Sequence, residues 1–189
     1  MKTLVEISAR HIHLSEKDFE RLFGKEKSLK EIKKLSQIGE FASQEKVILI
    51  GKDREIDNVR ILGPFRKSSQ AEISLTDAYS LKLNPLPKIK VSGDLVNTTN
   101  ILIRGPKSSI KIPCIIALRH LHCSKIEARK LGLKNNQRIS VKVKGIREIT
   151  FHNVVVRVAE NFRLSLHLDT DEGNAAGIIG GTFGEIIRK

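Results

Sequence analysis

The chain has 189 residues, 40% hydrophobic and 29% charged, the composition of a folded globular protein and not of a disordered one. No apolar run approaches the roughly 20 residues that span a bilayer, and two cysteines are too few for a disulfide framework. A net charge of +13 points to anionic partners, yet aromatics make up only 4%, which disfavours a single-strand binder that stacks bases.

Taken in order, the sequence alternates short apolar runs with Gly, Asn and Pro. MKTLVEISARHIHLS carries no apolar signal core, so export is not expected. A helix is predicted from Ser15 to Phe23, opened by Ser15 with Asp18 and closed by Gly24. A third, weaker helix is predicted over Ser28 to Leu35. Val47–Ile50, Val59–Leu62, Ile89–Val91 and Ile101–Ile103 read as strands. A second capped helix runs from Ser124, with Glu127, to Leu131 before Gly132. Ile139–Val143, Val154–Val158 and Leu164–Leu168 complete the strands. Many strands with few helices indicate β-barrels or sandwiches.

An internal repeat is the most informative feature. Residues 9–18 read ARHIHLSEKD and residues 118–127 read LRHLHCSKIE, so Arg-His-apolar-His before a serine-capped helix occurs twice. Duplicated halves account for this economically. Residues i and i+2 of a strand share a face, so His11 projects with His13, and His120 with His122. Parity also groups the first pair with Val5, Ile7 and Ala9, and the second with Cys114, Ile116 and Leu118, as inward faces. Two imidazoles on one face can reach one metal ion, and a catalytic zinc needs a third protein ligand. His167 is the best remaining histidine, with Asp169, Asp171 and Glu172 nearby to orient it. Glu72 is a candidate for the other pair, although spacing alone leaves it an ordinary carboxylate. Cys123 has the wrong parity for a ligand and reads as a small apolar residue, and His152 reads as structural. Arg66, beyond the turn in Leu62-Gly-Pro-Phe-Arg66, offers a planar fork of donors suited to phosphate.

These residues together resemble the phosphate propanoyltransferase family, metal-dependent phosphotransacylases of the propanediol-utilisation type. The match is carried by SARHIHLS (8–15), LGPFR (62–66), QAE (70–72), SGD (92–94), RHLH (119–122), VVVRV (154–158) and HLDTDEGNAA (167–176). The resemblance implies a mainly β fold of two six-stranded-type barrels with short capping helices, internally duplicated. It divides the chain into residues 1–9 with 118–189, and residues 10–117. It implies two zinc ions close together, one held by His11, His13 and Glu72, the other by His120, His122 and His167. Arg66 would grip phosphate as the catalytic arginine, with Arg157 and Asn174 lining the substrate site. The implied activity exchanges acyl-CoA and phosphate for acyl phosphate and coenzyme A, with acetyl or propanoyl as the acyl group. Metal and Arg66 would neutralise and aim the phosphate, with the metal also polarising the thioester.

The implied partners are coenzyme A, acyl-CoA and inorganic phosphate, with no nucleic acid and no membrane, and the resemblance implies a homo-oligomer. The first strand begins by Leu4, without the amphipathic extension of shell-encapsulated members, so a free cytoplasmic enzyme is expected. Two alternatives stand beside this reading. One is a zinc-dependent thioester or phosphoester hydrolase; the other is a basic nucleic-acid-binding β-barrel stabilised by metal.

Overall fold

The computed structural model describes residues 1–178 and 181–187. The chain divides into two compact units, residues 1–8 with 118–189, and residues 9–117. The N-terminal strand β1 (Lys2–Ser8) belongs to the first unit. The second unit contains β2 (His11–His13), α1 (Glu16–Phe23), β3 (Glu31–Lys34), β4 (Phe41–Ile50), β5 (Glu55–Gly63), β6 (Gln70–Glu72), α2 (Leu75–Ser80), β7 (Ile89–Lys90), β8 (Thr99–Arg104) and β9 (Ser109–Ala117). The chain then returns to the first unit with β10 (His120–Cys123), α3 (Lys125–Leu131), β11 (Arg138–Val143), β12 (Ile149–Val158), β13 (Ser165–Asp169), α4 (Thr170–Ala175) and β14 (Phe183–Ile187).

Each unit is a closed six-stranded barrel. In the first, the order β1-β13-β10-β12-β11-β14 returns to β1. In the second, β4-β5-β2-β6-β9-β8 closes through the antiparallel pairing of β8 with β4. There β3 and β7 are additions on β4 and β9. The pairings correspond one by one. β2 runs parallel to β5 and antiparallel to β6, as β10 does to β12 and β13. β6 runs parallel to β9, as β13 does to β1. The duplication seen in the histidine motifs therefore extends to every strand of the two rings.

Alternation drives the strands. Ile101, Ile103, Ile110 and Ile112 are buried while Lys111 between them is exposed, the pattern of a sheet with one wet face. Each barrel fills with its own apolar cluster, centred on residues such as Leu49, Ile61 and Ile103 in one and Val141, Val156 and Leu166 in the other.

Two of the three expected helices form. Ser124 and Glu127 make a full capping box on α3, which ends on Gly132 in the left-handed region. At α1 the box is shared: Ser15 Oγ accepts from Asp18 N–H, while the Asp18 carboxylate takes the Ser69 hydroxyl at 2.6 Å. The helix expected over Ser28 to Leu35 does not form; Glu31–Lys34 is the strand β3, antiparallel to β4. All four of its side chains are exposed. The segment thus lacks an apolar stripe to bury as a helix, and β4 offers free backbone partners instead. Its lysines suit an edge strand, where charge discourages further pairing.

The parity argument also needs correction. Strand β1 ends at Ser8 and β2 starts at His11; β9 ends at Ala117 and β10 starts at His120. Parity does not carry across these breaks, and Ile7 is exposed, not inward.

One close approach fixes a glycine. A Cβ on Gly51 would stand 2.0 Å from the Leu81 carbonyl oxygen, which already accepts the Lys52 N–H at 3.0 Å. Backbone cannot swing aside, so Gly51→Ala is expected to cost about 2–3 kcal/mol in chemical denaturation. Gly145→Ala, which meets open space, is expected to change stability by less than about 0.5 kcal/mol.

Candidate active site: two matched metal-ligand sets

In the second unit, β2 lies between β5 and β6, with His11 opposite Glu72 and His13 opposite Gln70. Directly paired side chains share a face, so His11, His13 and Glu72 converge, all three buried. In the first unit β10 places His120 opposite His167 and His122 opposite Ser165. His120, His122 and His167 converge in the same way. In each set the ligand-type atoms all lie within 4.8 Å of one another. Glu72 and His167 thus occupy equivalent positions, each across from the first histidine of its pair.

The donor chemistry fits a metal ion. His11 Nδ1–H donates to the Ala9 carbonyl at 2.8 Å, and His120 Nδ1–H donates to the Leu118 carbonyl at 2.9 Å. A ring nitrogen facing a carbonyl must carry the proton, which leaves the Nε2 lone pair available as a ligand. His11 Nε2 stands 3.7 Å and His13 Nε2 3.9 Å from the Glu72 carboxylate. These gaps exceed hydrogen bonds and match donors grouped around a small ion. Burial foremost, with the neighbouring His11 and Arg66, holds His13 well below the usual histidine range, so the ring is neutral, the form that binds metal. Burial alone would raise the Glu72 carboxyl. The Ser92 hydroxyl and the Arg66 guanidinium work against it and favour the carboxylate.

Around Glu72 the hydrogen bonds form a fixed chain. Ser92 Oγ donates to Glu72 Oε1 at 2.6 Å and accepts from Gln70 Nε2 at 2.8 Å and Arg66 Nη1 at 3.0 Å. Gln70 Nε2 also donates to Glu72, and Gly93 N–H donates to Gln70 Oε1 at 3.0 Å. The Ser92 hydroxyl is therefore saturated, with one proton given and two accepted. Arg66 is tied at its backbone to the Leu14 carbonyl and at its side chain to Ser92. Its guanidinium opens onto a cleft of about 510 Å³ shared with Lys67, Gln70 and Gly93.

In the first unit His122 stacks on Phe162 at 4.0 Å between centroids, and the Arg157 guanidinium lies 5.7 Å from the same ring. Arg157 is also the register partner of His122. Asn174 is exposed near the end of α4, and its backbone carbonyl accepts from Arg147. Two of the acidic residues after His167 serve the helix that follows. Asp169 caps α4 and shares a capping box with Glu172, which pairs with Arg119 at 2.6 Å. Cys123 is fully buried, its thiol pushed up to about 11 by burial and by Glu127, so it packs as an apolar residue. His152 is exposed and hydrogen-bonded to Ser140.

Comparison with known proteins decides the family. The family model for phosphate propanoyltransferase matches residues 4–179. The chain belongs to the phosphate propanoyltransferase family. It is 46% identical over 186 residues to a phosphate propanoyltransferase of Lachnoclostridium phytofermentans, covering 97% of this chain and 84% of the relative. It is 41% identical over 187 residues to one of Clostridioides difficile, covering 98% and 88%. Against one of Thermotoga maritima it is 43% identical over 176 residues, covering 92% and 83%.

Within the family frame, the arginine of each Arg-His-x-His motif gains a structural reason that sequence reading left blank. Arg10 pairs with Asp77 at 2.7 Å, as Arg119 pairs with Glu172. Both carboxylates sit at the third position of the helix that follows the strand of the third ligand. Each arginine therefore pins the end of that strand. Ser92 also escaped sequence reading as a site residue, because it lies 20 residues from the Glu72 that it bonds.

Proposed function

We propose that this chain is a phosphotransacylase that moves a short acyl group, acetyl or propanoyl, between coenzyme A and inorganic phosphate with one zinc ion in each ligand set. The enzyme class rests on the family. The observation that carries the metal reading is the pair of donor sets at equivalent positions of two duplicated barrels. Zinc, when bound, supplies a Lewis acid for the thioester carbonyl and a good acceptor for thiolate sulfur.

The chain's own residues then have defined tasks. Arg66 offers phosphate two parallel N–H donors and a permanent positive charge, which offsets the anion's loss of water. Ser92 fixes the guanidinium on one side and Glu72 on the other, so the phosphate grip and the ligand carboxylate are set by one hydroxyl. Held in this way, a phosphate oxygen attacks the thioester carbonyl. The new C–O bond forms, the C–S bond breaks, and coenzyme A leaves as thiolate. No covalent enzyme intermediate is needed, and positioning supplies much of the rate. Arg157, braced on Phe162, and Asn174 are assigned to substrate contacts in the first unit. The net charge of +13 draws polyanionic coenzyme A and phosphate.

Two free, buried cysteines suit a reducing compartment, so the proposed setting is the cytoplasm. Among the described residues no helix is long and apolar enough to cross a membrane. The named relatives support neither a zinc hydrolase nor a nucleic-acid-binding barrel.

The test follows free thiol release from acetyl-CoA and propanoyl-CoA, with and without phosphate, before and after chelation. Phosphate-dependent, chelator-sensitive release with acyl phosphate as product is the expected result. Release that ignores phosphate would replace the transferase by a hydrolase, and no release by fully metallated protein would remove the enzymatic reading.

A further inference from the structure

The loop between β7 and β8 carries two apolar residues that the barrel does not use. Leu95 is partly buried and Val96 is 69% exposed, and neither belongs to the apolar cluster that fills this unit. Both instead line the cleft beside Arg66, opposite in character to its polar lining of Lys67, Ser68 and Gln70. The loop is clipped in place. Lys90 Nζ donates to Asp94 Oδ1 at 3.0 Å and to the Val96 carbonyl. Asp94 Oδ1 accepts the Val96 N–H at 3.3 Å, and the Thr98 hydroxyl donates to the Leu95 carbonyl at 3.3 Å. At the start of the loop Ser92 bonds Arg66 and Gly93 N–H bonds Gln70, so the apolar pair has a set place relative to the phosphate grip. A single exposed valine needs no explanation. An apolar pair fastened into an anion cleft does.

We infer that Leu95 and Val96 form the wall that receives the acyl chain, and so set the acyl preference of the enzyme. This rests on the phosphotransacylase reading above. A phosphate oxygen held by Arg66 stands about 2.7–2.9 Å from a guanidinium nitrogen. The oxygen that attacks must come within about 3–3.5 Å of the thioester carbonyl carbon. The acyl chain begins at that carbon, which confines its first methylene to the neighbourhood of the grip. The product has the same two-sided character: an acyl phosphate joins a charged head to a short apolar tail through one oxygen. The cleft offers Arg66 and Lys67 to the head, and Leu95 and Val96 to the tail. A tail against these two side chains leaves water, and each methylene buried there raises kcat/KM by about 4-fold.

The experiment measures kcat/KM for acetyl-, propanoyl- and butanoyl-CoA at saturating phosphate, in the full-length metallated wild type, Leu95→Ala/Val96→Ala, Val96→Thr and Val96→Ile. The double variant is expected to lower the propanoyl-to-acetyl ratio by about 3–5-fold, and the butanoyl-to-acetyl ratio by more. Val96→Thr keeps the branched shape but adds a hydroxyl, so it should lower the same ratios, while the still apolar Val96→Ile should retain them. The KM for phosphate and the metal content should stay close to wild type in all three, because Arg66 and the ligand sets are intact. An equal fall for every chain length, or ratios that do not move, would overturn the acyl wall and leave the transferase standing. A matching rise in the KM for free coenzyme A in the reverse reaction would place the pair on the pantetheine arm, which also overturns it. If metallated wild type releases no thiol in response to phosphate, the proposed function fails and takes this inference with it.

Discussion

Replacing His120 and His122 together by alanine is expected to abolish phosphate-dependent acyl transfer and to remove one of two bound zinc equivalents. The two rings supply two of the three imidazoles in their set, and His167 alone cannot hold an ion against water. Zinc held by a small protein site is worth roughly 10–16 kcal/mol at neutral pH, so losing two ligands takes the affinity out of a useful range. His122 also stacks on Phe162, where Arg157 rests. Its loss therefore loosens the arginine assigned to substrate as well as the metal. Circular dichroism should show a folded chain, because the substitutions leave every residue of this barrel's apolar cluster, such as Val141 and Val156, in place. Cys123→Ala is the control: its protonated thiol binds no metal, and metal content should stay at the wild-type value. Normal turnover in the double histidine variant would sink the metal mechanism.

Arg66→Ala is expected to raise the KM for phosphate by roughly 10–100-fold, equivalent to the about 1.5–3 kcal/mol of hydrogen bonding to a charged group. The KM for acyl-CoA should change far less, since the cleft that Arg66 shares with Lys67 and Gln70 is proposed for phosphate. Arg66→Lys should recover only part of the loss, because an ammonium keeps the charge without the planar fork. The same substitution frees one acceptor position on Ser92, whose bond to Glu72 is retained, so zinc binding should survive. An unchanged phosphate dependence in Arg66→Ala would remove this residue from the site.

The barrels were legible because the duplication is written twice in the sequence, and because alternation in stretches such as Ile101–Ile103 is a local signal. The histidine pairs were legible for the same reason: i and i+2 on a strand need no tertiary knowledge to be grouped. Glu72 and Arg66 became site residues only through resemblance, since what distinguishes them is a cross-strand pairing and a serine bond. The pairing of Glu6 with His167 was hidden further: the two lie on parallel strands from opposite ends of the chain, and parallel pairing leaves no short-range mark. The failure at Ser28–Leu35 has the opposite origin. A helix was expected there from the local sequence, and a free edge of β4 decided otherwise. Both α2 and α4 went unread because each is only six residues long, too short to show periodicity, although their capping residues were present.

The placement of β1 bears on how the chain is made. Its two partners are β13 and β14, at residues 165–169 and 183–187, so a strand made before all the others described is among the last to be paired. Residues 9–117 contain every strand of their own barrel and can close while synthesis continues. Throughout that interval Leu4, Val5 and Ile7 stay on an unpaired strand with both edges open, the state in which strands recruit wrong partners. Lys2 and Glu6 within this strand put charge on it during the wait. Slow elongation late in the message, or truncation before β13, should therefore yield an intact middle barrel carrying a sticky N-terminal tail.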